Sequence, residues 1–296
     1  MKKSNWKIFS VGAVIASLTL AACGASASLN SAISSVSASQ YLQVHFTASL
    51  SGADAQKAEP ILSTLSYDVI ESSTSGQSLS QSTGNINTEI DVNVGTQALA
   101  SIRDIGTNFY FEVNAQALAS LPSVNLPSQT IAAVELLLNN RWFEVPASLI
   151  AANEPTPPTA AQTAKEQAIV QEIINDLTGV IEANNYTTLP GGGFSQAGTL
   201  QSIITAVLPT IEKLDSNAPS PGKVPGTYTV AIKMSGSTAT SASISITAPN
   251  GSLGNSTGEI DATIAHAAIT VSAPTGATTI TPAMITQLEG QVAAAQ

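Results

Sequence analysis

The sequence predicts an α+β fold, an antiparallel sheet with helices gathered on one face. Three observations predict it. Apolar and polar residues alternate through short segments in the first and last thirds of the chain, the period of half-buried strands. The middle of the chain carries apolar residues at helical spacing instead. Successive strand segments are joined by short turns, which links neighbours as hairpins. The order is therefore strands, helices, strands, helix.

The first strand is Leu42, Val44, Phe46, Ala48 and Leu50, alternating with mostly polar positions. Leu65, Tyr67 and Val69 repeat the pattern before a Ser-rich turn through Gly76, and Ile90, Val92 and Val94 alternate against Glu89, Asp91 and Asn93. Ile102 to Ile105, a Gly106-Thr107-Asn108 turn and Phe109 to Val113 read as a hairpin. Arg141 to Val145 is a further short strand, stopped by Pro146. Ser128 caps a short helix through Leu138. A second helix runs roughly from Gln162 to Asn184, with Val170, Ile173, Ile174, Leu177, Val180 and Ile181 on one face. Gly191-Gly192-Gly193 is a connector to a third, whose stripe from Leu200 to Leu214 contains Pro209, where a kink is expected. Tyr228 to Met234, Ser243 to Thr247 and Gly258 to Ile264 return to strand period, and Ile269-Thr270-Val271 is a last short strand. The apolar parity switches between Ile264 and Ile269, so a break or bulge falls near His266. Thr281-Pro282 caps a terminal helix.

Composition bounds the function. The chain has 296 residues, 43% of them hydrophobic and only 10% charged. The usual charged share is about 25%, and a mean hydropathy of +0.20 argues against disorder. Ten basic residues face twenty acidic ones. No basic stripe exists to displace counterions from phosphates, so nucleic acid is not the partner. One Cys and two separated His exclude an internal disulfide and a multi-Cys or His-rich metal site.

The N-terminus has a basic start, Lys2-Lys3, then a short apolar run from Ile8 to Leu20, then Ala21-Ala22-Cys23. This is the layout of a secretory leader, and the run is too short to span a bilayer at about 20 residues. Leu20-Ala21-Ala22-Cys23 resembles the bacterial lipobox. The resemblance implies removal of residues 1–22 as a lipoprotein signal peptide, a diacylglycerol on the Cys23 thiol and acylation, as by palmitate, of the new amine. Several acyl chains anchor a protein stably where one is marginal. The expected location is the extracytoplasmic face of the cell membrane. Loss of Lys2, Lys3 and Lys7 with the leader takes the net charge from −10 to −13. Such a surface is repelled by anionic headgroups, so the lipid on Cys23 is the membrane partner. Residues 23–39, small and Ser/Ala-rich, form a flexible tether, and 40–296 a single α+β domain.

The hairpin Ala100 to Val113, the segment Arg141-Trp142-Phe143-Glu144-Val145 and the ending Ile269-Thr270-Val271-Ser272-Ala273-Pro274, together with the lipobox, tether and first strand, resemble actinobacterial lipoproteins of the LppX/LprG type. The resemblance is one of pattern over roughly residues 30 to 280. It implies the fold of the carrier LolA: an antiparallel half-barrel with helices covering its concave face. It implies binding of lipid acyl chains between sheet and helices, transport of lipid in the cell envelope, and no enzymatic activity, catalytic residue or cofactor.

The ligand on this reading is a lipid or other apolar molecule. The cavity-lining candidates are Leu42, Val44, Phe46, Ile90, Val92, Phe109, Phe111 and Val113 from strands and Ile173, Leu177, Ile203 and Val207 from helices. The alternative is that the same side chains meet in a filled core and that the chain is a non-catalytic envelope interaction or scaffold lipoprotein. A transporter or other envelope protein as partner stays open.

Catalytic and metal signatures are weak. His45 and His266 lie in no motif with a Ser, Cys or carboxylate, and no G-x-S-x-G elbow exists. Glu89/Asp91 and Glu259/Asp261 each put two carboxylates on one strand face, either a hard-cation pair or a solvated face. Gly191-Gly192-Gly193-Phe194 lacks the spacing and Lys of a phosphate loop. Asn185-Tyr186-Thr187 and Asn255-Ser256-Thr257 match the glycosylation sequon, which carries little weight in a bacterial lipoprotein.

Overall fold

Alternation becomes pairing in the computed structural model. It describes residues 34–36, 38–52, 65–82, 85–121, 141–149, 186–190, 192–214, 222–251 and 254–294, with single positions and short runs inside 131–138 and 168–180. The leader, Cys23, Ser128 and both predicted helix limits at Gln162 and Asn184 lie outside the described residues.

The first strands are β1 (Tyr41–Ser51), β2 (Leu65–Ser73), β3 (Ile86–Val94), β4 (Gln97–Ile105) and β5 (Asn108–Val113), followed by the short helix α1 (Ala115–Ala119) and β6 (Phe143–Val145). Then come β7 (Thr187–Thr188), β8 (Gly193–Thr199), helix α2 (Leu200–Leu214), β9 (Thr227–Ser235), β10 (Thr238–Gly251), β11 (Gly254–Ala265), β12 (Thr278–Thr279) and helix α3 (Pro282–Ala294). Among the described residues the strands of each unit pair almost wholly antiparallel, so the fold class is α+β.

The chain divides into two compact units. One comprises Gln40–Ala48, Pro60–Pro157 and Ala267–Gln296, with strand order β12-β6-β5-β4-β3-β2-β1. All its described neighbours are antiparallel except β12 and β6, which run parallel. The other comprises Met1–Ser39, Ser49–Glu59 and Pro158–His266, with order β11-β10-β9-β8-β7, its described pairs antiparallel throughout.

Local chemistry sets the elements. Val94 pairs with Gln97 and Ile105 with Asn108, leaving two-residue turns that begin with Gly95 and Gly106, both at positive φ. The Asn114 side chain accepts from the Ala117 amide at 3.0 Å and caps α1. Thr281 Oγ1 accepts from the Met284 amide at 3.3 Å, the expected cap of α3. Ile131, Ala132, Glu135 and Leu138 are helical, as are Ile169, Ile173 and Leu177. The α2 helix continues through Pro209.

Two expectations are corrected. Gly193 is not part of a connector; it opens β8. At φ +93° it lies so close to the Ile232 carbonyl of β9 that a Cβ would stand 2.1 Å from that oxygen. Only a glycine lets the strands approach there. Ile269-Thr270-Val271 is not a strand. β11 ends at Ala265, and residues 266–274 form no ladder; side chains hold the Val271 amide and carbonyl and the Ser272 carbonyl instead. Arg141 and Trp142 likewise precede the strand β6.

Candidate functional site

In antiparallel pairs, directly opposed side chains share a face. The register of β1 to β6 therefore fixes which residues meet. One cross-strand row runs Val44, Val69, Ile90, Ile102, Phe111 and Phe143. A second runs Phe46, Tyr67, Val92, Ala100 and Val113. A third runs Leu42, Glu71, Thr88, Asp104, Phe109 and Val145. All eight strand candidates thus lie on one face, in three adjoining rows. Val69, Ile102 and Phe143 complete the central row; parity within each strand marks them, but only the register shows that they join it. Phe111 and Phe143 stack with centroids 5.5 Å apart.

Burial on this face is uneven. Val44, Val69, Leu42 and Phe143 are at most 4% exposed. Phe46, Ile90, Val92, Ile102, Phe109, Phe111 and Val113 keep part of their surface open. The third row is the polar margin. Glu71 is buried at 3% exposure. Asp104 is exposed as a residue, yet partial desolvation of its carboxyl raises its pKa.

The opposite face of the same strands is polar and partly covered. His45 Nδ1 and Asp68 Oδ1 are 2.8 Å apart, and Asn93 donates to Asp68 Oδ2 at 3.1 Å. Arg103 donates through Nε and Nη2 to one Glu89 oxygen at 2.9 and 2.7 Å, and its guanidinium sits 4.6 Å from the Trp142 ring centroid. Burial raises the Glu89 pKa even so, because desolvation outweighs the adjacent Arg103 charge. Glu89/Asp91 is therefore not a simply solvated pair: Glu89 is ion-paired and half-buried. The segment after Ala267 is tied to this face as a strap at Val271 and Ser272. The Val271 amide donates to Ser72 Oγ at 3.2 Å, Asn87 donates to the Val271 carbonyl at 2.9 Å, and Arg103 Nη1 donates to the Ser272 carbonyl at 3.0 Å.

The helical candidates belong to the other unit. Ile203 and Val207 are on α2, and Ile173 and Leu177 on the preceding helical segment, all four partly exposed. Within that unit Thr210 of α2, 1% exposed, donates to Asp176 at 2.7 Å, and Lys213 pairs with Glu172. Ile232, Phe194, Ala242 and Ala262 form a row across β8 to β11, beside Gln196, Val230, Ile244 and Ile260. On the polar side Glu259 and Asp261 oppose Ser245 and Ser243. His266 lies 3.2 Å from the Ala239 carbonyl.

Among the described residues no group of three or more His, Cys, Asp or Glu could hold a metal ion, and no helix is long and apolar enough to cross a membrane. The arrangement offers an extended apolar surface with a polar margin, suited to burying hydrocarbon. No protein-family model and no curated protein matches the chain.

Proposed function

We propose that this chain is a lipid-anchored protein of the cell envelope, held by acylated Cys23, that binds the hydrocarbon part of a lipid against the apolar face of β1 to β6. The observation that carries the reading is the row Val44, Val69, Ile90, Ile102, Phe111 and Phe143, whose middle members remain partly exposed instead of being packed away. Binding is burial without chemistry: each CH₂ moved from water onto such a surface gains about 0.8 kcal/mol. No bond is made or broken, so the protein carries and does not catalyse. The half-barrel with a helical cover, implied by the resemblance to LppX/LprG-type lipoproteins, is the form that would shield a bound chain from water.

The filled-core reading, a scaffold lipoprotein, has its support at the β1–β2 end, where Leu42, Val44 and Val69 are 3%, 0% and 2% exposed. Native extraction followed by lipid mass spectrometry separates the two. Carriage expects a co-purified lipid; none recovered, with no thermal shift on adding lipids, favours the filled core. The anchor has its own test. Cys23→Ala should be neither lipidated nor cut by the lipoprotein peptidase, and a variant processed to the same mature size and kept in the membrane would refute it.

A further inference from the structure

Gln196 and Tyr228 stand on the apolar face of β8 and β9, 1% and 2% exposed. Gln196 Nε2 donates to the Ala197 carbonyl at 2.9 Å. Among the described residues its Oε1, and the Tyr228 hydroxyl, have no hydrogen-bond partner. A buried polar group left unsatisfied is costly, and native structures hold few of them. Two on neighbouring positions of one face are a feature to explain.

The register shows how they meet. Gln196 opposes Val230 and Tyr228 opposes Gly198. The two are thus diagonal neighbours, about 7–8 Å apart at the backbone and within reach of long side chains. Gly198 leaves the room: a Cβ there would stand 2.7 Å from both the Tyr228 ring and its hydroxyl. The ring therefore lies across β8 and brings its hydroxyl to that strand. The pairing of β7 covers only Phe194 and Ser195, so β8 from Gln196 onward extends beyond it. In the flanking apolar row, Phe194, Ile232 and Ala262 are buried and Ala242 is partly exposed.

We propose that Gln196 and Tyr228 form a binding site for the hydroxyl group of an otherwise apolar ligand. One hydroxyl oxygen donates to Gln196 Oε1 and accepts from the Tyr228 hydroxyl, satisfying both at once. A carboxylate has no proton for Gln196 Oε1 and brings a buried charge; an ammonium has no lone pair for Tyr228. A hydrocarbon leaves both groups unmet. This site is in the unit of β7 to β11 and is independent of lipid carriage on the β1 to β6 face.

The test uses the purified mature protein with decanol, decane and decanoate as probes in thermal unfolding. Decanol should raise Tm by about 2–4 °C, while decane and decanoate raise it much less. Tyr228→Phe should lose the decanol response and itself unfold at a higher temperature than wild type, because an unmet hydroxyl has gone. Gln196→Met should lose the response too. Three results overturn the proposal. Wild type answers decanol no better than decane; Tyr228→Phe keeps the decanol response; or Tyr228→Phe alone unfolds at a lower temperature, which means that water or protein already satisfies the hydroxyl.

Discussion

Arg103 ties three parts of its unit together: it neutralises Glu89, holds the Ser272 carbonyl and lies against Trp142. The Arg103 and Glu89 side chains are 23% and 13% exposed, so the pair is only partly screened by water. Breaking a fully buried pair costs about 3–5 kcal/mol; here Arg103→Ala should cost about 2–3 kcal/mol in urea unfolding, after discounting for exposure. Arg103→Lys should recover less than half, since a point charge cannot replace the fork. Acidity couples to the same residue. Glu89 and Asp104 have folded-state pKa values above their ordinary 4.5 and 3.8. The folded state then binds more protons than the unfolded one, so their contribution is present below those ordinary values and is lost as pH rises through the folded-state values. Asp104→Asn should flatten part of that slope, read as Tm against pH from 4 to 7 beside wild type. The penalty of Arg103→Ala should shrink toward the acid end, where Glu89 is neutral. An unchanged slope in Asp104→Asn would exclude Asp104 as a contributor.

Among the elements, the strap is the one whose role differs most from its local pattern. Ile269-Thr270-Val271 alternates and is β-branched, so it reads as a strand. Its partners, Asn87 and Ser72, are 184 and 199 residues away, and nothing local encodes that side chains rather than a ladder will hold it. Val271 is 1% exposed. Val271→Ala should cost about 2 kcal/mol from lost burial and the space left behind. Asn87→Ala should cost about 1–2 kcal/mol by leaving a carbonyl without its donor. Both should raise amide exchange in the strap before they affect β4 or β5. β8 was hidden for a different reason. Its sequence, Gly193-Phe194-Ser195-Gln196-Ala197-Gly198-Thr199, has one large apolar residue and two glycines, so no period shows. Its requirement for Gly193 is visible only beside β9. Gly193→Ala sets a positive φ against a 2.1 Å clash and should cost about 3 kcal/mol or more, lowering Tm without changing the turns at Gly95 or Gly106. By contrast, β1 to β5 were legible because each buries one face and exposes the other, and because a two-residue turn at Gly106 fixes the register of its hairpin.

At the scale of the molecule, the sequence told which residues of each strand share a side, and the ladder turned those separate sides into one surface. Phe109, Phe111 and Val113 are odd-numbered and Ile90 and Val92 even-numbered; only the turns and the bulge between Val92 and Asn93 bring them to the same face. What no periodicity carries is how much of that surface remains open, since a packed core and a hydrocarbon seat require the same side chains. Stability and ligand retention separate the two. Val44, 0% exposed, is core under either reading, so Val44→Ala should cost about 2–3 kcal/mol in urea unfolding. Ile90 sits two strands along the same row, beyond Val69, and is partly exposed. If it touches lipid, Ile90→Ala should cost about 1 kcal/mol in the delipidated protein and lower the retained lipid, by mass spectrometry, several-fold more than Val44→Ala does at matched folded fraction. Should Ile90→Ala instead cost as much as Val44→Ala and leave lipid content unchanged, the row is interior throughout, and carriage on this face is excluded.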